Sequence, residues 1–185
     1  MQETRDIHMT YIGNPVLDVS VYENDRTILN QYGLEIGMAT LATPEQMPIY
    51  DQLMAREDKV VGAGGSALNS ARAQRYSNMN GPVAYLGCIG NDNSGRVLID
   101  AVKTCGIIGR FEMTEEVPTS MCASVVVGKE RTLCADIRAA KKFTLDYLNA
   151  NMVREPLLFD ENLICLLTLG NPEPLKMSLH NGIFH

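Results

Sequence analysis

Asp18 is the first residue of this sequence whose type and surroundings suggest chemistry. It lies in the segment GNPVLDVS, residues 13–20, between Leu17 and Val19, in a stretch apolar enough to be buried. A buried carboxylate needs strong hydrogen-bond donors, and the two vicinal hydroxyls of a ribose would supply a matching pair. Backbone N–H groups would satisfy it as well, and for Asp18 taken alone this structural role is the preferred interpretation.

A glycine-rich turn before a predicted helix forms a second group. In VVGAGGSALNSARAQRY, residues 60–76, Gly64 and Gly65 could bring backbone N–H groups against a sugar. Asn69 follows one turn later with both a donor and an acceptor, and we expect it to be buried. A close packing turn that binds nothing would use the same residues. The stretch matches neither the G-x-x-x-x-G-K-[ST] phosphate loop nor a complete G-x-G-x-x-G fingerprint, which argues against a P-loop kinase and a standard dinucleotide enzyme.

Two further polar stretches follow along the chain. In GCIGNDNSGRVL, residues 87–98, Asp92 and Asn93 precede a predicted helix and suit its N-cap, so a structural role accounts for them. Arg131 follows a predicted hairpin turn, where a guanidinium could hold the charge of a transferring phosphoryl group. A solvated arginine on an edge strand is the alternative. The sequence shows no His/Cys cluster and no Ser/His/Asp pattern, and we predict no metal site built from protein ligands.

The elements that must position these residues alternate between strand and helix as far as Gly106. This order predicts an α/β fold with a mainly parallel, helix-covered sheet. The strand-like segments that do not fit this order are 15–22, 38–42 and 110–137. We expect them to form a separate small sheet, which beside the carboxyl ends of the main strands would make a lid. The whole chain, residues 1–185, is predicted to be one domain. Its lid segments would be about 15–42 and 109–137.

Composition narrows the class of protein. The chain has 185 residues, enough for one domain with a sizeable core. Its net charge of −6 gives no basic footprint for nucleic acid, and no apolar run is long enough to span a bilayer. The five cysteines lack metal-ligand spacing, which is typical of thiols in a reducing compartment. With no signal peptide apparent, we expect a cytoplasmic protein that binds neither nucleic acid nor membrane.

Taken together and in this order, the motifs resemble the ribokinase-like (PfkB) family of carbohydrate and nucleoside kinases. The segments that carry the resemblance are GNPVLDVS, YGLEIGMATLATPEQ, GGSALNSARAQRY, YLGCIGNDNSGRVL and PTSMCASVVVGKERTLCADI, between about Tyr11 and Ala140. Several motifs in a fixed order are far more specific than any one of them. GGSALN followed by GCIGNDNSG is similar to the branch that acts on adenosine rather than to ribokinases or fructokinases.

The resemblance implies a reaction and a set of residues. The reaction is transfer of the γ-phosphoryl group of ATP to the 5′-hydroxyl of adenosine, giving AMP in purine salvage, with Mg²⁺ bridging the phosphates. Asp18 would bind the ribose hydroxyls, and Arg131 would help to neutralise the phosphates. The other residues implied to contact the nucleoside are Asn14, Leu41, Gly64, Gly65, Ser66, Asn69, Cys122, Leu133, Ala135 and Ile137.

The sequence also departs from the family pattern. The family's catalytic base is the aspartate of a Gly-Ala-Gly-Asp loop, and that motif does not occur in this chain. Asp136 stands where the family often has asparagine, and the match weakens after about Ala140. We therefore expect a truncated fold with an uncovered sheet edge that could pair with another copy. The alternative function is a nucleoside-binding or interaction fragment without the catalytic aspartate and the ATP site. A sugar kinase of the same family is a third interpretation.

Overall fold

Two β-sheets with flanking helices make up the described part of the chain. The structure is a computed structural model, and it describes residues 9–77, 81–154 and 164–168. The strands are β1 (Met9–Gly13), β2 (Val16–Glu23), β3 (Ala39–Leu41), β4 (Val60–Gly64), β5 (Val83–Gly90), β6 (Ile108–Thr114), β7 (Met121–Val127), β8 (Glu130–Asp136) and β9 (Ile164–Thr168). The helices are α1 (Thr27–Gln31), α2 (Pro48–Met54), α3 (Ser66–Tyr76), α4 (Asn93–Thr104) and α5 (Leu145–Arg154), with 3₁₀ turns at Pro44–Gln46 and Ala139–Lys142.

The first sheet is parallel, in the order β6-β5-β1-β9. Strand β5 is buried along its whole length, as expected for a parallel strand that is covered on both faces. Helix α3 packs on β1 and β5, and α4 packs on β5 and β6. The parallel, helix-covered sheet predicted from the sequence is therefore present. Strand β9, with the apolar sequence ICLLT, pairs with β1 at the other edge of this sheet.

The second sheet is mixed and has the order β3-β8-β7-β2-β4. Strands β7 and β8 form the predicted antiparallel hairpin, and Gly128 in its turn has φ of +64°, a left-handed conformation that glycine tolerates. Strand β2 lies between β7, to which it is parallel, and β4, to which it is antiparallel. This sheet contains most of the strands that were expected to form the lid.

Two expectations about the placement of strands are wrong, one for a predicted lid strand and one for a strand of the parallel sheet. The predicted lid segment 109–137 includes most of β6, but β6 pairs with β5 in the parallel sheet. Most of its side chains are half-buried, because it is an edge strand among the described residues, and this pattern resembles that of a hairpin strand. Strand β4 precedes a helix and was expected in the parallel sheet, yet it pairs antiparallel with β2. Val60 and Val61 in β4 are exposed, as is typical of a short edge strand.

Some expectations stay predictions. The one-domain organisation of residues 1–185 includes parts of the chain outside the described residues. The segment NGIFH at the end of the sequence lies outside them as well. Pairing of an uncovered sheet edge with another copy is untested. No helix within the described ranges has the length and apolar character needed to cross a bilayer.

One hydrophobic core joins the two sheets. Val19 and Val21 of β2 are fully buried in it, with Ile49 and Leu53 of α2 and Leu98 of α4. Helix α4 contacts β2 and β4 as well as β5 and β6, so it packs against both sheets. The inner face of the second sheet is thereby covered, and its opposite face carries the candidate site.

A buried polar junction fixes the start of α4 to the start of β7. Asp92 is the N-cap of α4, as predicted, and its Oδ1 accepts a 2.8 Å hydrogen bond from the Gly95 N–H. The Thr119 N–H and hydroxyl each donate to the same carboxylate at 2.7 Å. Ser120 follows, and its Oγ accepts from the N–H groups of Arg138 and Ala140 at 3.0 and 3.2 Å. Thr119 and Ser120 are both fully buried. Their hydrogen bonds hold the start of β7 to the start of α4 and to the segment that follows β8.

Replacing Asp92 with alanine should lower the free energy of unfolding by about 2–3 kcal/mol, because a cap and two bonds to a charged acceptor are lost. Burial disfavours the ionised carboxylate, but the bonds from Thr119 and Gly95 outweigh it and hold the pKa of Asp92 below its ordinary value. The stability that Asp92 contributes is therefore present above the ordinary carboxyl pKa and is lost as the pH falls through the folded-state value. Urea unfolding at neutral and acidic pH measures both effects.

Asp100→Ala is the matched control for this variant, since Asp100 is exposed on the same helix. It should change the free energy of unfolding by no more than about 0.5 kcal/mol. Equal losses for the two variants would show that the junction contributes nothing specific.

Candidate functional site

Asp18 lies on the outer face of the second sheet. Side chains alternate along β2, so Leu17, Val19 and Val21 enter the core while Asp18 and Ser20 point to the other side and are half-buried. Among the described residues, no hydrogen bond reaches the Asp18 carboxylate. The structural role that the sequence favoured, in which backbone N–H groups hold this carboxylate, is therefore absent from the described part of the chain.

Four of the predicted site residues form one row across this sheet. Asp18 pairs with Cys122 of β7, Cys122 pairs with Ala135 of β8, and Ala135 pairs with Leu41 of β3. Residues paired across neighbouring strands present their side chains on the same face, so the row is a carboxylate followed by three small or apolar groups. Leu41 at the end of the row is 58% exposed although it is apolar.

Other predicted residues extend this face along β8. Arg131, Leu133 and Ile137 are separated from Ala135 by even numbers of residues, so the strand alternation places Arg131 and Leu133 on the same side. Ile137 directly follows the end of β8. The sheet thus presents an apolar strip with an arginine at one end, on the face that carries Asp18.

Gly64 leaves the space that the Asp18 carboxylate occupies. A Cβ atom on Gly64 would stand 2.1 Å from Asp18 Oδ2 and 2.5 Å from its Cγ, far inside van der Waals contact. The carboxylate therefore lies directly against the backbone of the glycine turn. The sequence predicted a close approach of the Gly64 backbone to a sugar, which stays a prediction; within the chain, the group that approaches Gly64 is Asp18.

Gly65 and Asn14 form the second close approach of the turn. Gly65 has φ of +105°, and a Cβ there would stand 2.3 Å from the carbonyl oxygen of Asn14. Gly65 is the N-cap of α3 and makes no side-chain cap bond, and Ser66 is the first helical residue. The first N–H groups of α3 are therefore not capped by a side chain, beside Asn14 and within one residue of the glycine that touches Asp18.

The expectation that Asn69 is buried is wrong, because its side chain is exposed. Helix α3 buries Ala67, Leu68 and Ala71, and Asn69 falls outside that apolar stripe. Its Oδ1 accepts a long hydrogen bond of 3.5 Å from Arg72, which also donates to the carbonyl of Ala63. Arg72 was not singled out from the sequence. The only sequence signal for it is its spacing of three residues after Asn69 on a predicted helix.

Positive charges on two elements, α3 and β8, act on Asp18. Burial raises the pKa of Asp18 above its ordinary value, and the nearby guanidinium groups of Arg131 and then Arg72 partly oppose that rise. Cys122 lies beside it in the row, and burial, with a contribution from the Asp18 charge, raises the pKa of this thiol to about 12. Cys122 is therefore a neutral contact at physiological pH, and Asp18 is the acidic group of the row.

Two further observations concern polar atoms near this face. The hydroxyl of Ser124, next to Ser20 in the sheet, is buried and has no hydrogen-bond partner among the described residues. Within the same residues there is no group of three or more His, Cys, Asp or Glu side chains that could hold a metal ion. The three histidines of the sequence, two of them near its end, lie outside the described ranges.

Comparison with known proteins gives a family, and several similar proteins are described as adenosine kinases. Residues 32–173 match the family described as "pfkB family carbohydrate kinase". The adenosine kinase of Schizophyllum commune is 32% identical over 142 residues, which cover 77% of this chain and 41% of the relative.

Solved structures agree with this match. The ligand-free adenosine kinase of Trypanosoma brucei brucei has a TM-score of 0.76 and 35% identity, covering 85% of this chain and 48% of the other. The adenosine kinase of Anopheles gambiae, solved with P1,P4-di(adenosine-5) tetraphosphate, has a TM-score of 0.75 and 32% identity, covering 81% and 45%. The chain thus spans less than half the length of these relatives.

The contact between Gly64 and Asp18 leads to a prediction for a glycine pair. Gly64→Ala should lower the free energy of unfolding by about 1–3 kcal/mol, because the new methyl group overlaps the carboxylate. Gly62→Ala, in the same strand, is the control, since a Cβ there meets nothing within 4 Å. It should change stability by no more than about 0.5 kcal/mol in urea unfolding.

A double-mutant cycle identifies the cause of the Gly64 effect. In an Asp18→Ala background the overlapping carboxylate atoms are gone, so the cost of Gly64→Ala should largely disappear. A cost that is unchanged in this background would mean that the strand itself, rather than Asp18, requires glycine.

Proposed function

The chain belongs to the pfkB family of carbohydrate kinases, with the ribokinase-like fold of that family, and we propose that it binds adenosine as the nucleoside-binding part of an adenosine kinase. The observation that carries the proposal is the Asp18 carboxylate. It is half-buried, stands against the backbone of Gly64 and has no hydrogen-bond partner among the described residues. A group in that state has acceptor capacity for a ligand that brings its own donors.

A ribose matches this arrangement. Its two vicinal hydroxyls would donate to the two oxygens of Asp18, while the backbone of Gly64 and Gly65 permits close approach of the sugar. Asn69 and the uncapped N–H groups at the start of α3 would bind the remaining polar atoms, with Asn14 and Ser66 beside them. The sugar would then lie between Asp18 and the start of α3.

The apolar row would hold the base. A purine ring is flat and largely apolar on its faces, and the row offers Cys122, Ala135 and Leu41, with Leu133 and Ile137 next to them. The exposed Leu41 would be covered when the base is bound, which removes apolar area from water. Free ribose or fructose could use Asp18 but would gain nothing from this row.

The reaction proposed for the whole enzyme is transfer of the γ-phosphoryl group of ATP to the 5′-hydroxyl of adenosine, giving AMP. Arg131, on the Asp18 face, would stabilise negative charge on the phosphates. Mg²⁺ would reach the site with ATP, because it is usually bound through phosphate oxygens, waters and one or two carboxylates. Since Cys88, Cys105, Cys122 and Cys134 are free, we place the protein in a reducing compartment such as the cytosol.

Calorimetric titration with adenosine tests the proposal. The chain should bind adenosine saturably, and Asp18→Asn should weaken binding about tenfold or more, since an amide replaces a charged acceptor of two hydroxyl donors. Because the pKa of Asp18 is raised, affinity should fall as the pH falls through that raised value, before ordinary carboxyl groups are protonated. In Asp18→Asn this acid dependence should be absent.

Asp100→Asn is the control, since Asp100 is an exposed carboxylate on α4, outside the row that carries Asp18. It should bind adenosine like the unaltered chain. Competition by ribose or fructose as strong as that by adenosine would favour a sugar kinase instead. Formation of AMP from adenosine, ATP and Mg²⁺ by the purified chain would contradict the alternative of a nucleoside-binding fragment, and binding without AMP formation would favour that alternative.

A further inference from the structure

Arg72 contacts both the strand end before the glycine turn and the side chain of Asn69 after it, two parts of the proposed sugar site. It lies in the second turn of α3, and its Nη1 donates to the backbone carbonyl of Ala63, the residue before Gly64. The same nitrogen donates to Oδ1 of Asn69 at 3.5 Å. One cation is therefore bonded both to the end of β4 and to the side chain predicted to bind the ribose.

The Arg72 guanidinium is held there at a cost. Its Nε is buried and has no hydrogen-bond partner among the described residues, and an unpaired buried donor is unfavourable. The burial of this Nε is therefore not explained by a hydrogen bond of its own. The charge of Arg72 does act on a neighbour, since it opposes the rise in the pKa of Asp18.

The groups that face Asp18 come from three elements. They are Arg72 on α3, Arg131 on β8 and the neutral thiol of Cys122 on β7. Arg131 is exposed on a strand of the hairpin, whereas Arg72 is bonded to the backbone that Asp18 touches. Arg72 is thus the cation whose position is coupled to the glycine turn.

We propose that Arg72 is a positioning residue of the nucleoside site, which holds Asn69 and the carboxyl end of β4 in place for the sugar and supplies a fixed positive charge beside Asp18. This inference rests on the proposed adenosine-binding function. Both bonds come from one nitrogen of the guanidinium, whose planar group holds its N–H directions fixed and stays charged. A lysine would keep the positive charge but would lack the planar group that fixes the directions of the N–H bonds.

Adenosine titration of Arg72→Ala and Arg72→Lys across a range of pH tests the proposal. Arg72→Ala should bind adenosine about tenfold more weakly, and its loss of affinity in acid should begin at higher pH, because Asp18 loses a neighbouring cation. Arg72→Lys should restore the pH profile, since the charge is kept, and should restore the affinity only in part. A role in folding alone would weaken binding without moving the pH profile.

Arg75→Ala is the matched control. Arg75 is an exposed arginine one turn further along α3, and it lies against Gly106 rather than against the site. It should bind adenosine with unchanged affinity and the same pH profile. Urea unfolding of all four proteins shows whether each variant is folded under the conditions of the titration.

Two measurements on the ligand-free chain keep this inference separate from the proposed function. In Arg72→Ala, the Asp18 carboxyl should titrate at higher pH by NMR, and amide exchange in residues 63–69 should accelerate about tenfold or more. If adenosine does not bind the unaltered chain, the proposed function is wrong, and these two measurements still decide the role of Arg72. If both are unchanged in a folded Arg72→Ala chain, the positioning role is wrong, even when adenosine binds.

Discussion

A half-buried negative charge on β2 is the constraint around which the candidate site is arranged. An ionised carboxylate away from water is unfavourable unless charge or hydrogen bonds compensate it. Here the compensation comes from two arginines on different elements, Arg131 and Arg72, and not from hydrogen bonds within the described residues. Space for the carboxylate comes from Gly64, which has no side chain. A neutral ligand with two hydroxyl donors fits such a site better than a cation, since positive charge is already present.

The position of Asp18 depends in turn on how the second sheet is attached to the first. Apolar packing between the two sheets is not directional, so by itself it would leave the second sheet free to shift relative to the first. The junction of Asp92, Thr119 and Ser120 adds hydrogen bonds of 2.7 to 3.2 Å between the start of α4, the start of β7 and the chain after β8. Leu17, next to Asp18, donates its N–H to the Ser120 carbonyl at 2.9 Å. The row of site residues and the glycine turn are therefore held in one arrangement through neighbouring backbone groups.

Local sequence patterns predicted the local features of this structure. The cap at Asp92, the hairpin turn at Gly128 and the tight turn at Gly64 each depend on residues close in the chain, and all three are present. Only the family resemblance predicted the row of site residues, because its members come from four different strands. They are Asp18, Cys122, Ala135 and Leu41. Periodicity cannot show which strands pair across such distances.

The wrong placements of β4 and β6 have the same cause, because local sequence does not show which strands pair. Strand β4 looks like a strand of the parallel sheet because a helix follows it, and only its pairing with β2 reveals its place. The same holds for β6, whose mixed burial reflects an edge position. Asn69 is a different case, because the apolar spacing of Ala67, Leu68 and Ala71 on α3 could have predicted its exposure. The role of Arg72 depends on its contact with Ala63 in another element.

The carboxylates of Asp92 and Asp18 differ in the direction of their pKa shifts, and this difference supports the proposed role of Asp18. Bonds from Thr119 and Gly95 hold the pKa of Asp92 below its ordinary value, so its ionised form stabilises the fold at neutral pH. Burial raises the pKa of Asp18, so its contribution to stability is complete below the ordinary carboxyl pKa and is lost as the pH rises through the folded-state value. At neutral pH the Asp18 charge therefore destabilises the folded chain relative to the unfolded one. A residue that is unfavourable for folding, and that requires glycine beside it, is better explained by a ligand than by the architecture.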